Sequence, residues 1–143
     1  ETGGWDTHSA QNGRLAAQLR GLDALIAALR EGMGPAWDKT VVLVATEFGR
    51  TAAANGTGGT DHGTGAAAMR VGGAVQGGRV VTDWPGLAPS ALYEGRDLKP
   101  TMALEAVVAA ACAECFGLDR DRVARTLFPH LAAGKAVPRL LRA

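Results

Sequence analysis

Cysteine and net charge are both scarce in this chain, and each shortage excludes something. Two cysteines among 143 residues cannot build the multi-bridge framework of a small secreted scaffold. They stand as Cys112-x-x-Cys115 inside an alanine-rich helical run, with no second pair and no βαβ turn before them. That context reads as core packing rather than a redox pair. Fifteen basic against fourteen acidic residues leave a formal charge of +1, which gives no electrostatic reason to expect nucleic acid or an anionic membrane as partner. No stretch approaches the roughly 20 apolar residues of a membrane span, because the longest run, Ala106 to Ala113, is bounded by Glu105 and Glu114. An initiator methionine and a signal peptide are also missing. The first residues enter a motif directly, so the chain is expected to be a fragment and the missing signal says nothing about compartment.

Glycine, in contrast, is abundant, with 20 residues where about half as many are usual. Between the glycine clusters lie recognisable periods. Leu15, Leu19, Leu22, Ile26 and Leu29 recur at three- and four-residue steps and predict a helix over 14–31 with one buried stripe. Ser9 or Asn12 is placed to cap its start, and Gly32-Met33-Gly34-Pro35 stops it. The β-branched run 40–46 lacks alternation, as expected of a central parallel strand covered on both faces. Residues 67–71 predict another strand and 79–82 a short β segment. Pro100 or Thr101 opens a second helix that Gly117 ends after Phe116, and Asp119 or Asp121 begins a third that runs through Arg125. From Phe128 onward a loosely packed tail is expected. The order of elements implies α/β layering within a single domain.

Two of the three histidines fall in three motifs at the ends of these elements. Asp6 and His8, in Gly4-Trp5-Asp6-Thr7-His8, are two apart, so on an extended segment both side chains point the same way and can reach one cation. The competing reading is an Asp that caps the following helix beside a hydrogen-bonded His. Asp61 and His62 form a second ligand-type pair in a glycine-rich loop. Adjacent side chains diverge, so one of them binds while the other supports it, with His62 the better ligand. Glu47 ends the strand, where a carboxylate can take a metal or act as a base. Arg50 can present a fork of donors to an oxyanion, although the two also suit a structural ion pair. The loop 47–66 has no apolar period, and loops of that length in compact domains are usually functional. It ends without the Lys-Ser or Lys-Thr of a P-loop.

These motifs resemble a family known as domain of unknown function 1501, whose members look like distant relatives of the alkaline phosphatase and sulfatase superfamily. The likeness rests on Gly4-Trp5-Asp6-Thr7-His8 with Gln11, on Thr46-Glu47-Phe48-Gly49-Arg50-Thr51, and on Asn55-Gly56 leading to Gly59-Thr60-Asp61-His62-Gly63. It continues through Gly72-Gly73, Gly77-Gly78-Arg79, Trp84-Pro85-Gly86-Leu87, Gly95-Arg96-Asp97-Leu98 and Phe128-Pro129. Family members are much longer and often carry a twin-arginine export signal, so the chain resembles the carboxyl-terminal part of one domain of an exported or periplasmic protein.

The resemblance implies a partial alkaline-phosphatase-like layered α/β fold, with a mostly parallel sheet flanked by helices. It also implies two neighbouring divalent metals and a Ser or Thr nucleophile on an early strand. Asp6, His8 and His62 fit the first metal's set, although Asp6 and His8 are closer in sequence than the superfamily's usual step. Glu47 and Asp61 are further candidate ligands, and Glu47 and Arg50 are the candidate catalytic residues. Glu47-Phe48 stands where the second metal's Asp-His pair would be, and phenylalanine cannot ligate. Zinc is the first expectation for the ion, ahead of calcium, magnesium or manganese. The implied activity is hydrolysis of phosphate or sulfate esters, glycans included, by the full-length parent, the fragment alone being inactive. The alternative is a non-catalytic binding protein that keeps the fold and at most one metal. Self-association is a further way in which the missing half of the domain could be supplied.

Overall fold

In a computed structural model that describes residues 2–132, 134 and 136–142, the first regular element is helix α1, Gln11–Met33. Neither Ser9 nor Asn12 caps it. The residue before it, Ala10, lies in the left-handed region and no side chain caps the helix. Instead the first amides find backbone partners in a distant loop, Ala10 N–H on Thr57 O and Gln11 N–H on Gly58 O. Loop carbonyls thereby do the work of an N-cap side chain. Gly34 closes the far end, its N–H bonded to Glu31 O. The stripe expected from the sequence is only half-buried: Leu15, Leu22, Ile26 and Leu29 are intermediate in exposure and Leu19 is exposed. No described residue of α1 is fully buried.

The chain gathers into two compact units. The first comprises Glu1–Gly34, Thr46–Ala67 and Trp84–Pro100, and the second Pro35–Ala45, Ala68–Asp83 and Thr101–Ala143. A 3-10 helix, Gly34–Lys39, follows α1. The second unit holds β1, Val42–Val44; the first holds β2, Gly49–Arg50, and β3, His62–Gly63; the second again holds β4, Met69–Val71.

The mostly parallel, helix-flanked sheet of an alkaline-phosphatase-like α/β layer is not what forms. Among the described residues the strands make two separate antiparallel two-stranded ladders, β1 with β4 and β2 with β3. Val42 pairs with Val71 and Val44 with Met69. The β-branched run around β1 signals burial without specifying a partner or its direction. Here its ladder is three residues long and its side chains are only half-buried, as suits a two-stranded ribbon rather than a strand covered on both faces. Residues 79–82, expected to extend, pair with nothing regular.

The second unit also contains helices α2, Leu104–Phe116, and α3, Arg120–Leu127. Gly117 takes the left-handed conformation that ends α2, its N–H on Ala113 O. Asp119 caps α3, accepting from Arg122 N–H at 2.8 Å. Ala109, Ala113 and Val123 form the buried core between the helices, with Cys112, Ala124 and Phe128 packed against it. Small alanines let the helices approach closely. Cys112 thus belongs to the apolar core, whereas Cys115, expected there too, is exposed; partial desolvation, then the neighbouring Cys112, pushes its thiol upward, away from thiolate reactivity.

The expected loose tail is partly anchored. Val137 and Leu141 are buried, Leu141 bridges to Val75, and Gln76 N–H donates to Leu140 O at 2.9 Å. Glu114 fixes it further. Its largely buried carboxylate accepts from the Arg120 guanidinium and from the amides of Leu140 and Leu141 at 3.0 and 2.9 Å. Among the described residues, no helix is long and apolar enough to cross a membrane.

Candidate metal centre

The first unit is built around glycine-rich segments laid directly on one another. Gly59 is buried, and a Cβ there would collide with the backbone of Thr7 and His8. Gly63 lies equally close to the backbone of Arg50 and Thr51. These contacts draw the loop 55–63 onto the segment 5–8, and polar side chains fix the register. Asn55 Oδ1 accepts from the amides of Thr57 and Gly59, both at 3.0 Å, while Asn55 Nδ2 and Thr57 Oγ1 donate to His8 O at 2.9 and 2.6 Å. The hydroxyls of buried Thr7 and half-buried Thr60 both donate to Gln11 Oε1, at 3.2 and 2.8 Å. Sequence reasoning gave Asn55 and Gln11 no mechanical role. The Asn-Gly-Thr string, with its tendency to fold into an Asx turn, is the signal that points to the first of them.

On this scaffold the ligand-type side chains converge. Asp6 Oδ1 lies 3.0 Å from His8 Nε2 and 2.9 Å from His62 Nε2. One ligand atom from each of Asp6, His8 and His62 lies within 4.8 Å of the others. Donors about 2.0 to 2.1 Å from a tetrahedral zinc are about 3.3 Å apart, so the two Asp6–His separations are close to a polyhedron edge, while a donor pair at the 4.8 Å limit of the group must draw together to share an ion. Two imidazoles and a carboxylate are a donor set that zinc and its neighbours accept. All three side chains are about half exposed, at 47% for His8, 48% for Asp6 and 52% for His62. An ion and one or more solvent ligands therefore have access.

The other candidate residues separate by role. Asp61 does not join the three-ligand group; its Oδ1 lies 3.0 Å from His8 Nδ1 and accepts from Asn55 Nδ2 at 3.0 Å. Glu47 is exposed and outside that group as well. Arg50 sends Nη1 to Thr60 O at 2.8 Å and Nη2 to Trp5 O and Asp6 Oδ1 at 2.8 and 2.9 Å. One guanidinium thus ties all three motifs together. Phe48 stacks on the His62 ring with centroids 4.1 Å apart and planes 16° from parallel. The Arg50 guanidinium lies 5.0 Å from the Phe48 ring centre. The residue that cannot bind a metal thereby holds one that can. His62 in turn lies beside His8, ring centres 4.9 Å apart.

The charges agree with this geometry. The hydrogen bond from His62, then that from Arg50, holds the Asp6 carboxyl below its usual range against the opposing effect of desolvation. Asn55, then His8, does the same for Asp61. Both carboxylates are kept ionised beside the imidazoles.

Among known proteins, the model of a family described as "Protein of unknown function (DUF1501)" matches residues 1–127. Neither the curated proteins nor the solved structures give a match.

Proposed function

We propose, from the premise that the chain belongs to the DUF1501 family, that its first unit is a divalent-metal site serving hydrolysis of a phosphate or sulfate ester. The convergence of Asp6, His8 and His62 carries this reading. Asp6 supplies the negative charge, and the two imidazoles supply neutral nitrogen donors. Phe48 and Arg50 hold the donors in place from the side and from beneath. A divalent ion, with zinc the best fit to the donor set, would supply Lewis acidity toward an ester oxygen and a more acidic bound water. Arg50 acts in this reading as the brace of the site rather than as the oxyanion fork its sequence position suggests, because its Nη donors already hold Trp5, Thr60 and Asp6. Alkaline-phosphatase-like ancestry and export to the periplasm belong to the same proposal.

A second reading, a non-catalytic binding protein with one ion, is favoured by a particular observation. Among the described residues there is a single three-ligand group, and Phe48, which by the resemblance takes the place of a second-metal histidine, stacks on His62 and cannot ligate.

Titration calorimetry with Zn2+ tests the site, and turnover of an aryl phosphate and an aryl sulfate by the full-length protein carrying this segment separates the two readings. Binding of one equivalent that His62→Ala abolishes, with turnover lost in the same variant, supports the hydrolase. Equal binding without turnover above the His62→Ala background supports the binding protein. If wild type binds no divalent ion at all, both readings fail.

A further inference from the structure

We propose that Asp61 is the positioning residue of this centre: it holds the Nδ1 proton of His8 and thereby turns the Nε2 lone pair toward Asp6 and the ion position. The inference rests on the reading of Asp6, His8 and His62 as metal ligands. It concerns an atom of His8 that a metal does not touch.

Lone pairs on the two carboxylates decide where the His8 proton sits. A carboxylate oxygen offers two. Asp6 Oδ1 has three nitrogens around it: Arg50 Nη2 at 2.9 Å, His62 Nε2 at 2.9 Å and His8 Nε2 at 3.0 Å. The guanidinium cannot release its proton, so one lone pair is committed and two imidazoles compete for the other. Asp61 Oδ1 has two neighbours, Asn55 Nδ2 and His8 Nδ1, both at 3.0 Å. Donors and lone pairs balance there. A neutral His8 ring has a single proton, and the uncrowded acceptor takes it.

Two consequences follow. His8 Nε2 is left with its lone pair 3.0 Å from a carboxylate oxygen, an arrangement that repels until a proton or a cation sits between them. A carboxylate that accepts the outward N–H of a ligating imidazole also fixes the ring plane and raises its basicity. Asn55 completes the chain, since its amide holds both the Asp61 carboxylate and the His8 carbonyl. Asp61, expected from sequence to be a ligand candidate, thus works one atom further out.

Long-range 1H–15N correlation spectra of the imidazoles in the metal-free protein, recorded where the rings are neutral, read the tautomer directly. The expected result is His8 protonated at Nδ1 in wild type, with that preference lost in Asp61→Ala and weakened in Asn55→Ala, while the His62 pattern is unchanged. Zinc or cobalt affinity should fall about 10- to 100-fold in Asp61→Ala, with Asp61→Asn recovering part of the loss. An Nε2-protonated His8 in wild type overturns the proposal without reference to any variant's folding. So does a correctly folded Asp61→Ala that binds Zn2+ as tightly as wild type. Failure of the wild type to bind metal would remove the proposed function while leaving the tautomer result to decide the role of Asp61.

Discussion

Two glycines three residues apart in one loop should respond oppositely to the same substitution. Gly56 faces open space, with no heavy atom within 4 Å of where a Cβ would stand. Gly59 is buried, and its added Cβ would lie roughly 1 Å or more inside ordinary contact with the His8 backbone. Neither has the positive φ that would strain an alanine, so the difference is packing alone. Gly56→Ala should be neutral or should stabilise by about 0.4 to 1 kcal/mol, through loss of unfolded-chain entropy. Gly59→Ala must push the loop off His8, at about 1 to 3 kcal/mol for overpacking. It also strains the bonds from Asn55 to Gly59 and from Thr60 N–H to Thr7 O. The two variants should therefore differ by about 1 to 4 kcal/mol, read as urea midpoints at a common slope. Gly59→Ala should also weaken Zn2+ binding, because Asp61 and His62 move with the loop. Equal midpoints for the two variants would refute the close approach of loop and motif, and unchanged metal affinity in Gly59→Ala would refute its role in building the centre.

Removal of the α3 cap in Asp119→Ala should cost about 1 kcal/mol in chemical denaturation, since Arg122 N–H loses its acceptor. Glu114→Ala should cost more, about 2 to 3 kcal/mol, because two backbone amides lose their acceptor and the Arg120 guanidinium, half-exposed, keeps Val137 O. Increased proteolysis within residues 136–142 should accompany it if the carboxylate anchors the tail. The Asp6 and Asp61 carboxyls are held below their ordinary value of 3.8 in the folded chain, so the unfolded chain takes up their protons first on acidification. The stability they contribute is complete above the ordinary carboxylate range and disappears as pH falls through the lowered values. Urea midpoints followed from about pH 5 to about pH 2 should fall more steeply for wild type than for Asp61→Asn, and parallel curves would count against the Asp61 network.

The helices and the candidate group of Asp6, His8 and His62 were legible in the sequence for a common reason: the information is local. Leucines at three- and four-residue steps mark α1, Gly117 and Asp119 mark the end of α2 and the start of α3, and Asp6, His8 and His62 carry their chemistry whatever surrounds them. The direction of β1 was not legible. Its β-branched residues suggest a strand covered on both faces, yet it is half-buried in a two-stranded ribbon, and pairing with Met69–Val71 is decided by the path of the intervening chain. The anchoring of residues 136–142 was hidden as well, because Val137 and Leu141 are single apolar residues without a period and their partner Glu114 lies on another element. For Asp61 the sequence leaves ligand and supporting roles open, since it shows residue type but not which side of an imidazole the carboxylate faces.

The bonds that bring the first motif of the centre onto the other two join residues far apart along the chain: Asp6 to His62 across 56 positions, His8 to Asp61 across 53 and Arg50 to Asp6 across 44. Between them lies α1, 23 residues of local contacts. A helix of that kind relaxes within about a microsecond, whereas long loops must be closed before their contacts give any return. In the first unit, then, the helix can form early and the centre closes late. A metal-sensitive signal recorded during refolding would time that closure and not the appearance of helix, and an ion present from the start would act as a pin on the slowest part of the search.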